Sequence, residues 1–204
     1  MHPEKIIQFF KKSQGYLKSA DLIKHGIHTS HIKKLVEEGK IDRIKRGLYR
    51  LPPDQLVQDE KFTFEYFDAA VAVPKGIFCL STALYHHGLT TTNPSVLEMA
   101  ILPTQRNARL FNVAIRFYRF QKMYYQYDIE EIHTDLFPVK IYGKEKSVCD
   151  VIRMRHLVGE DIAMEGLNSY IKQKDKDVNK LLKTATFCKI RHIVEPAVKA
   201  MIGF

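Results

Sequence analysis

The 204-residue sequence has no tryptophan, three cysteines, eight prolines and no long apolar run. Each shortage excludes something. Cys79, Cys149 and Cys188 are odd in number and far apart, so they imply buried thiols in a reducing compartment, a cytoplasm, rather than a disulfide framework. The longest apolar run, Ala69–Val73, falls far short of the roughly 20 residues that a membrane-spanning helix needs. No membrane partner is expected. The opening MHPEKIIQFFKK lacks the apolar core and cleavage site of a signal peptide. There is no phosphate-binding glycine loop, dinucleotide fingerprint, nucleophile elbow or H-E-x-x-H zinc motif. No catalytic residue is assigned, and no cofactor or metal is called for.

Positive charge is what the chain has in excess, and it is unevenly spread. Residues 1–52 hold 12 Lys/Arg against 5 Asp/Glu, so +7 of the chain's +9 sits in its first quarter. That concentration is the electrostatic footprint of a nucleic-acid-binding module.

The same quarter has a readable order. Pro3 suits the first turn of a helix with Ile6, Ile7 and Phe10 on one face, ending before Gly15. Ser19 suits the N-cap of a short helix through His25, which Gly26 stops. Thr29 or Ser30 caps a second helix to about Glu38, closed by Gly39. Ile41–Lys45 and Leu48–Leu51 then meet at Arg46-Gly47 and end at Pro52-Pro53, a tight hairpin. Helix, turn, helix and basic hairpin make a winged helix-turn-helix.

Its second helix divides its faces as a DNA reader must. Ile32, Leu35 and Val36 lie on one side; Ser30, Lys33, Lys34 and Glu37 project from the other, with Thr29 and His31 near the N-terminal end. Those outward residues are the candidates for base edges in the major groove. Arg43, Lys45, Arg46 and Arg50 of the hairpin are the candidates for phosphates or the minor groove. A small helical domain with a solvated basic face would show much of this pattern, and the charge concentration favours double-stranded DNA. His25, His28 and His31 have an H-x-x-H-x-x-H spacing. It crosses the turn at Gly26-Ile27, so it does not put three imidazoles on one face.

The polar, proline-bearing stretch 54–60 marks the expected linker between a winged helix-turn-helix (1–53) and a mixed α+β domain with a helical C-terminal end (61–204). The overall class is α+β. Expected elements are a helix from about Lys61 to Val73, a short apolar segment at 77–80, a helix at 82–87 capped by Ser81, and strands at 96–102, 113–120 and 137–142. Four helices follow, over about 144–156, 160–172, 178–187 and 190–201, with Asp177 a cap and Pro196 dividing or kinking the last. Phe117, Ile141, Val148, Val151 and Leu167 are expected in the core. Arg106, Arg109, Arg116 and Arg119 interleave with Phe117, Tyr118, Tyr124, Tyr125 and Tyr127. Such a pattern can stack single-stranded nucleic acid, but near charge balance in this half favours ordinary packing. The alternative function is a DNA-targeted nuclease or transferase with an unrecognised site in the C-terminal domain, for which Glu130, Glu131, Asp135, Glu145 and Asp150 are the candidate metal-binding carboxylates. They lack the acid-x-Lys signature, and Lys146 and Asp150 have the i,i+4 spacing of a helical ion pair.

The joint order of motifs resembles AbiEi-type antitoxins of abortive-infection, type IV toxin–antitoxin systems. The segments that carry the resemblance are DLIKHGIHTSHIKKLVEEGKIDRIKRGLYRLP (21–52), CLSTALYHHGLT (79–90), VKIYGKEKSVCDVIRMR (139–155) and EDIAMEGLNSYIKQKDKDVNKLLKTA (160–185). The resemblance implies an N-terminal domain that binds inverted repeats in its own promoter and represses the operon. It implies a C-terminal domain required to counteract a nucleotidyltransferase-like toxin, with no direct contact implied. The family's E-K-S/T-x-x-D motif falls on Glu145, Lys146, Ser147 and Asp150, with Ser147 where Thr is commoner. Lys146 and Asp150, or Arg106 and Arg109, are the candidate neutralisation surface. No heptad seam is present, so a monomer in solution whose copies meet on DNA is expected.

Overall fold

In the computed structural model, which describes residues 3–60 and 62–203, proline opens the first helix, α1 (Pro3–Lys12). Its Ile6 and Phe10 are fully buried. Next come β1 (Tyr16–Lys18), α2 (Ser19–Lys24), α3 (Thr29–Glu37), β2 (Asp42–Lys45), β3 (Leu48–Arg50) and α4 (Phe64–Ala72). Ile6, Phe10, Leu22, Ile27, Ile32, Leu35, Ile41 and Leu51 form the core beneath the helices. At the turns, Gly39 (φ +66°) follows α3 and Gly47 (φ +78°) turns the hairpin, backbone conformations that a side chain disfavours. The winged arrangement expected from the sequence is present.

Three details differ. β1 was not expected; it pairs with β3, giving the sheet order β1-β3-β2 with Tyr16 opposite Arg50. Ser19, Thr29 and Ser30 are not caps. Lys18 and His28 occupy the cap positions without side-chain hydrogen bonds, and the Ser19 N–H goes to the Gly47 carbonyl at 2.9 Å. The chain's two compact units are also drawn elsewhere than at the Pro-Pro segment. One is Met1–Pro74 with Asn107–Ala114 and His133–Val139; the other is Lys75–Arg106 with Ile115–Ile132 and Lys140–Phe204. The helix expected from about Lys61 begins at Phe64 and belongs to the winged unit. Lys61, like Met1, His2 and Phe204, lies outside the described residues.

The second unit contains β4 (Ile77–Phe78), α5 (Leu80–His86), β5 (Leu97–Ile101), β6 (Ile115–Arg119), α6 (Lys122–Tyr125), β7 (Ile129–Ile132) and β8 (Val139–Tyr142). It ends in five helices, α7 (Lys144–Arg153), α8 (Arg155–Val158), α9 (Glu160–Lys172), α10 (Val178–Phe187) and α11 (Arg191–Ile202). The sheet order is β6-β5-β4-β8-β7; β4 is antiparallel to β5 and parallel to β8, while β5 and β6 are parallel. α7 is its central helix, buried from Glu145 through Ile152 and packed against α5, α9 and α10. Gly166 of α9 permits the close approach of α5, since a Cβ there would stand 2.9 Å from Leu84 Cδ1. Asp177 does cap α10, accepting from the Lys180 N–H at 2.9 Å. Pro196 sits inside an undivided α11.

Burial follows the sequence with one exchange. Ile141, Val148, Val151 and Leu167 are buried, but Phe117 is half-buried because β6 turns Tyr118 and Phe120 inward instead. The aromatics of this unit are engaged in packing. Tyr127 stacks on Phe187 at 4.0 Å, Tyr124 meets the same ring at 5.5 Å, and the Tyr118 hydroxyl donates to Glu98 at 2.8 Å.

All three cysteines are free and buried. Folded protein should therefore react slowly with a thiol reagent and take up three equivalents only once unfolded, because the thiolate must be reached as well as formed. Rapid stoichiometric labelling of the native protein would contradict this burial. Among the described residues, no helix is long and apolar enough to cross a membrane.

Candidate nucleic-acid interface

α3 presents what a recognition helix needs. Ile32 and Leu35 are buried against the core, while Thr29, Ser30, Lys33 and Lys34 are exposed on the outer face and His31 is half-buried. Lys33 pairs with Glu37 at 3.6 Å and Lys34 with Glu38 at 3.8 Å, one turn toward the C-terminal end. Exposed pairs of this kind contribute about 0–1 kcal/mol, so a phosphate or a base edge can replace the glutamate. Glu38 also meets Lys40 at 2.8 Å, and that lysine holds its carboxyl below the usual range. The three histidines do not converge: His25 Nδ1 bonds the Asp21 carbonyl, and the His28 and His31 rings are 6.4 Å apart. Among the described residues, no group of three or more His, Cys, Asp or Glu side chains is arranged to hold a metal ion.

The hairpin divides its four candidate cations differently from the sequence reading. Arg46 is exposed at the turn. Arg43 is exposed with its guanidinium 5.2 Å over the Phe111 ring. Arg50 is not a surface residue. It is 6% exposed, with Nη1 2.9 Å from Asp68 Oδ2, Nη2 2.8 Å from Asp42 Oδ2 and its guanidinium over Phe64. Lys45 is half-buried and donates to the Ala72 carbonyl at 2.6 Å. Both point inward because α4 packs on this side of the sheet, and α4 offers the acceptors. Lys18 was missed; it is exposed on β1 opposite Leu48, and only the unexpected strand puts it beside the hairpin.

Burial has electrostatic consequences here. Desolvation alone would lower Arg50, but Asp68 and Asp42 outweigh it and hold the guanidinium above its usual range. Burial pushes the Asp68 carboxyl from 3.8 up to about 6, against the opposing pull of Arg50 and of the hydrogen bond from Tyr16; Glu65 and Asp42 reinforce the rise. The folded state thus keeps a proton that the unfolded chain has released between pH about 4 and 6. This group therefore makes stability fall as pH rises through that window, and Asp68→Asn should remove that part of the slope. Urea unfolding across the window checks the sign.

The remaining candidates separate cleanly. Arg106 and Arg109 are exposed. Lys146 and Asp150 are not: both side chains have no exposed surface, and they form the expected i,i+4 ion pair inside the unit. They are corrected from surface residues to core residues, since α7 is surrounded by other elements rather than laid on the outside. Among the candidate metal-binding carboxylates, Glu145 is buried and engaged by Tyr170 at 2.7 Å and by Lys180 at 2.7 Å.

Residues 4–52 match one family model, described as transcriptional regulator, AbiEi antitoxin. The winged module is similar to that of AbiEi-type regulators. That match stops at the end of the hairpin and leaves α4 outside it. The AbiEi resemblance read from the motifs is thereby supported over residues 4–52. Among solved structures, the RV2827C protein from Mycobacterium tuberculosis is similar at 11% identity and a TM-score of 0.63, covering 98% of this chain and 80% of that one. It shares the fold along nearly the whole chain. No curated protein matches the sequence.

Proposed function

We propose that the protein is a cytoplasmic autorepressor and antitoxin that binds inverted repeats in its own promoter and counteracts a nucleotidyltransferase-like toxin. The observation that carries the reading is α3, with an exposed Thr29-Ser30-Lys33-Lys34 face on a buried Ile32-Leu35 base, inside a module of the AbiEi regulator family. Thr29, Ser30, His31, Lys33 and Lys34 face the bases, and Arg43, Arg46 and Lys18 the backbone. Repression is assigned to the winged module and neutralisation to the rest of the chain, with exposed Arg106 of the second unit and exposed Arg109, on a segment of the winged unit, as candidates for the latter.

The test uses the full chain. Lys33→Ala with Lys34→Ala should abolish repression of a reporter driven by the native promoter, yet still rescue growth when co-expressed with the product of the adjacent toxin gene. Repression that survives the double substitution would overturn the assignment of α3. A second expected result concerns geometry. The protein should sediment as a monomer, and its footprint should cover two half-sites separated by about one helical turn, 10–10.5 base pairs, or a multiple of it. A stable dimer at low micromolar concentration without DNA would contradict this.

A further inference from the structure

Arg50 and Lys45 raise a question that the DNA reading does not answer. Two of the hairpin's cations are turned away from solvent, and both are held by a helix that lies after the family-matched segment. The contacts are specific. α4 supplies Asp68 to Arg50 at 2.9 Å, the Ala72 carbonyl to Lys45 at 2.6 Å and the Phe64 ring beneath the guanidinium at 5.6 Å. Tyr16, on the strand paired with β3, donates its hydroxyl to the other oxygen of Asp68 at 2.8 Å. Asp68 therefore ties β1, β3 and α4 at one point, while Asp42 adds β2 through Arg50. From the far edge of the sheet, Phe111 donates its N–H to the Ile44 carbonyl at 2.9 Å.

A network of this kind is a poor way to gain stability. Removing a carboxylate and a guanidinium from water costs several kcal/mol, which their attraction repays only in full geometry. Here the geometry is incomplete, since Arg50 Nε is buried without a hydrogen-bond partner among the described residues. The upward push on Asp68 agrees: desolvation outweighs the stabilisation that Arg50 and Tyr16 provide. What such a network does supply is a set of directional constraints, because Asp68, Arg50, Tyr16 and Asp42 join three strands and α4 through hydrogen bonds of fixed direction.

We infer that Asp68 is a positioning residue of the DNA-binding unit: through Arg50 and Tyr16 it sets the hairpin against α3, making α4 a working part of the reader. The inference rests on the proposed DNA reading. Asp68 itself, buried at 2% exposure, touches no DNA. Its effect passes through the exposed turn at Arg46, four residues before Arg50 on the short strand β3 and its connecting turn.

The test combines two measurements on the full-length protein and the variants Asp68→Asn and Tyr16→Phe, the second removing one hydrogen bond and leaving the charges. Hydroxyl-radical footprinting on promoter DNA should show protection by α3 retained and protection by the hairpin lost in Asp68→Asn, with affinity down about tenfold. In an Arg46→Ala background, Asp68→Asn should cost little more, because the contact it positions is already gone. A merely structural role would lower both parts of the footprint alike and would add to Arg46→Ala. Hydrogen exchange without DNA should be faster at hairpin amides 43–49 in both variants and unchanged in α3. Wild-type protein that fails to bind the promoter while this exchange pattern appears would sink the DNA reading and leave Asp68 as the residue that holds the hairpin. Unchanged exchange and an unchanged footprint in both variants would overturn the inference itself.

Discussion

Asp150→Ala is expected to destabilise the protein by about 3–5 kcal/mol, because it leaves the buried Lys146 ammonium without its counter-charge. Lys146 has no exposed surface, and its ammonium is paired with Asp150 Oδ2; Arg153 Nη2 lies 2.9 Å from Oδ1 of the same carboxylate. The lysine stands 4.4 Å over Tyr142 and 5.0 Å from the Phe120 ring, and Arg153 is 4.8 Å over Tyr124. Such ring contacts contribute about 0.5–2 kcal/mol each and do not replace an ion pair at a buried site. For a chain of this length the loss corresponds to a fall in melting temperature of about 6–20 °C. Adding Lys146→Met should restore part of the stability instead of reducing it further, since the methionine needs no counter-charge and Arg153, 26% exposed, can reach solvent. Urea unfolding of the single and double variants decides. A cost below about 1 kcal/mol for Asp150→Ala would show that the pair carries none of this. It follows that a loss of antitoxin activity at either position would report folding. Arg106 and Arg109, being exposed, are the positions at which a neutralisation surface can be tested without that confusion.

The pattern that identified α3 was legible because it is local. Helix periodicity, the glycines after α2 and α3 and the turn at Arg46-Gly47 each act within a few residues, and the elements formed as expected. What was missed depends on partners far away in sequence. Arg50 reads as one more basic residue of a wing until Asp68, 18 residues later, takes its guanidinium. Lys146 and Asp150 read as a solvated i,i+4 pair because nothing in their spacing tells that α5, α9 and α10 close over α7. The strand β1 is three residues long and is defined by pairing with β3, so no periodicity could announce it. Pro52-Pro53 marks a break in secondary structure, whereas the boundary of a compact unit is set by which side chains meet. A fragment ending at residue 53 would therefore strip Arg50 and Lys45 of the α4 groups that hold them, and a reader built on the winged unit must extend at least to Pro74.

Affinity for promoter DNA should depend steeply on salt, and the steepness should identify which cations touch phosphate. If each module neutralises about 4 phosphates, raising salt from about 50 to about 200 mM weakens binding by about 150-fold, through release of condensed counterions. Arg46 and Lys18 are exposed on the hairpin and the strand beside it. Arg46→Ala should lower affinity for promoter and unrelated duplex alike and take about one contact off the slope. Lys33→Ala or Lys34→Ala should instead reduce the preference for the promoter, by about 10- to 100-fold where the lysine reads a base. Glu37→Gln should strengthen binding to both duplexes, because it removes a negative charge 3.6 Å from the Lys33 ammonium. Arg50→Met should take no more off the slope than Arg46→Ala does, and nothing further in an Arg46→Ala background, since a guanidinium enclosed by Asp68 and Asp42 releases no counterion of its own. Titrations at four salt concentrations with both duplexes separate these outcomes. A slope that stays constant for Arg46→Ala and drops when Arg50→Met is added to it would place the phosphate contact on the wrong side of the sheet and undo the assignment of the hairpin.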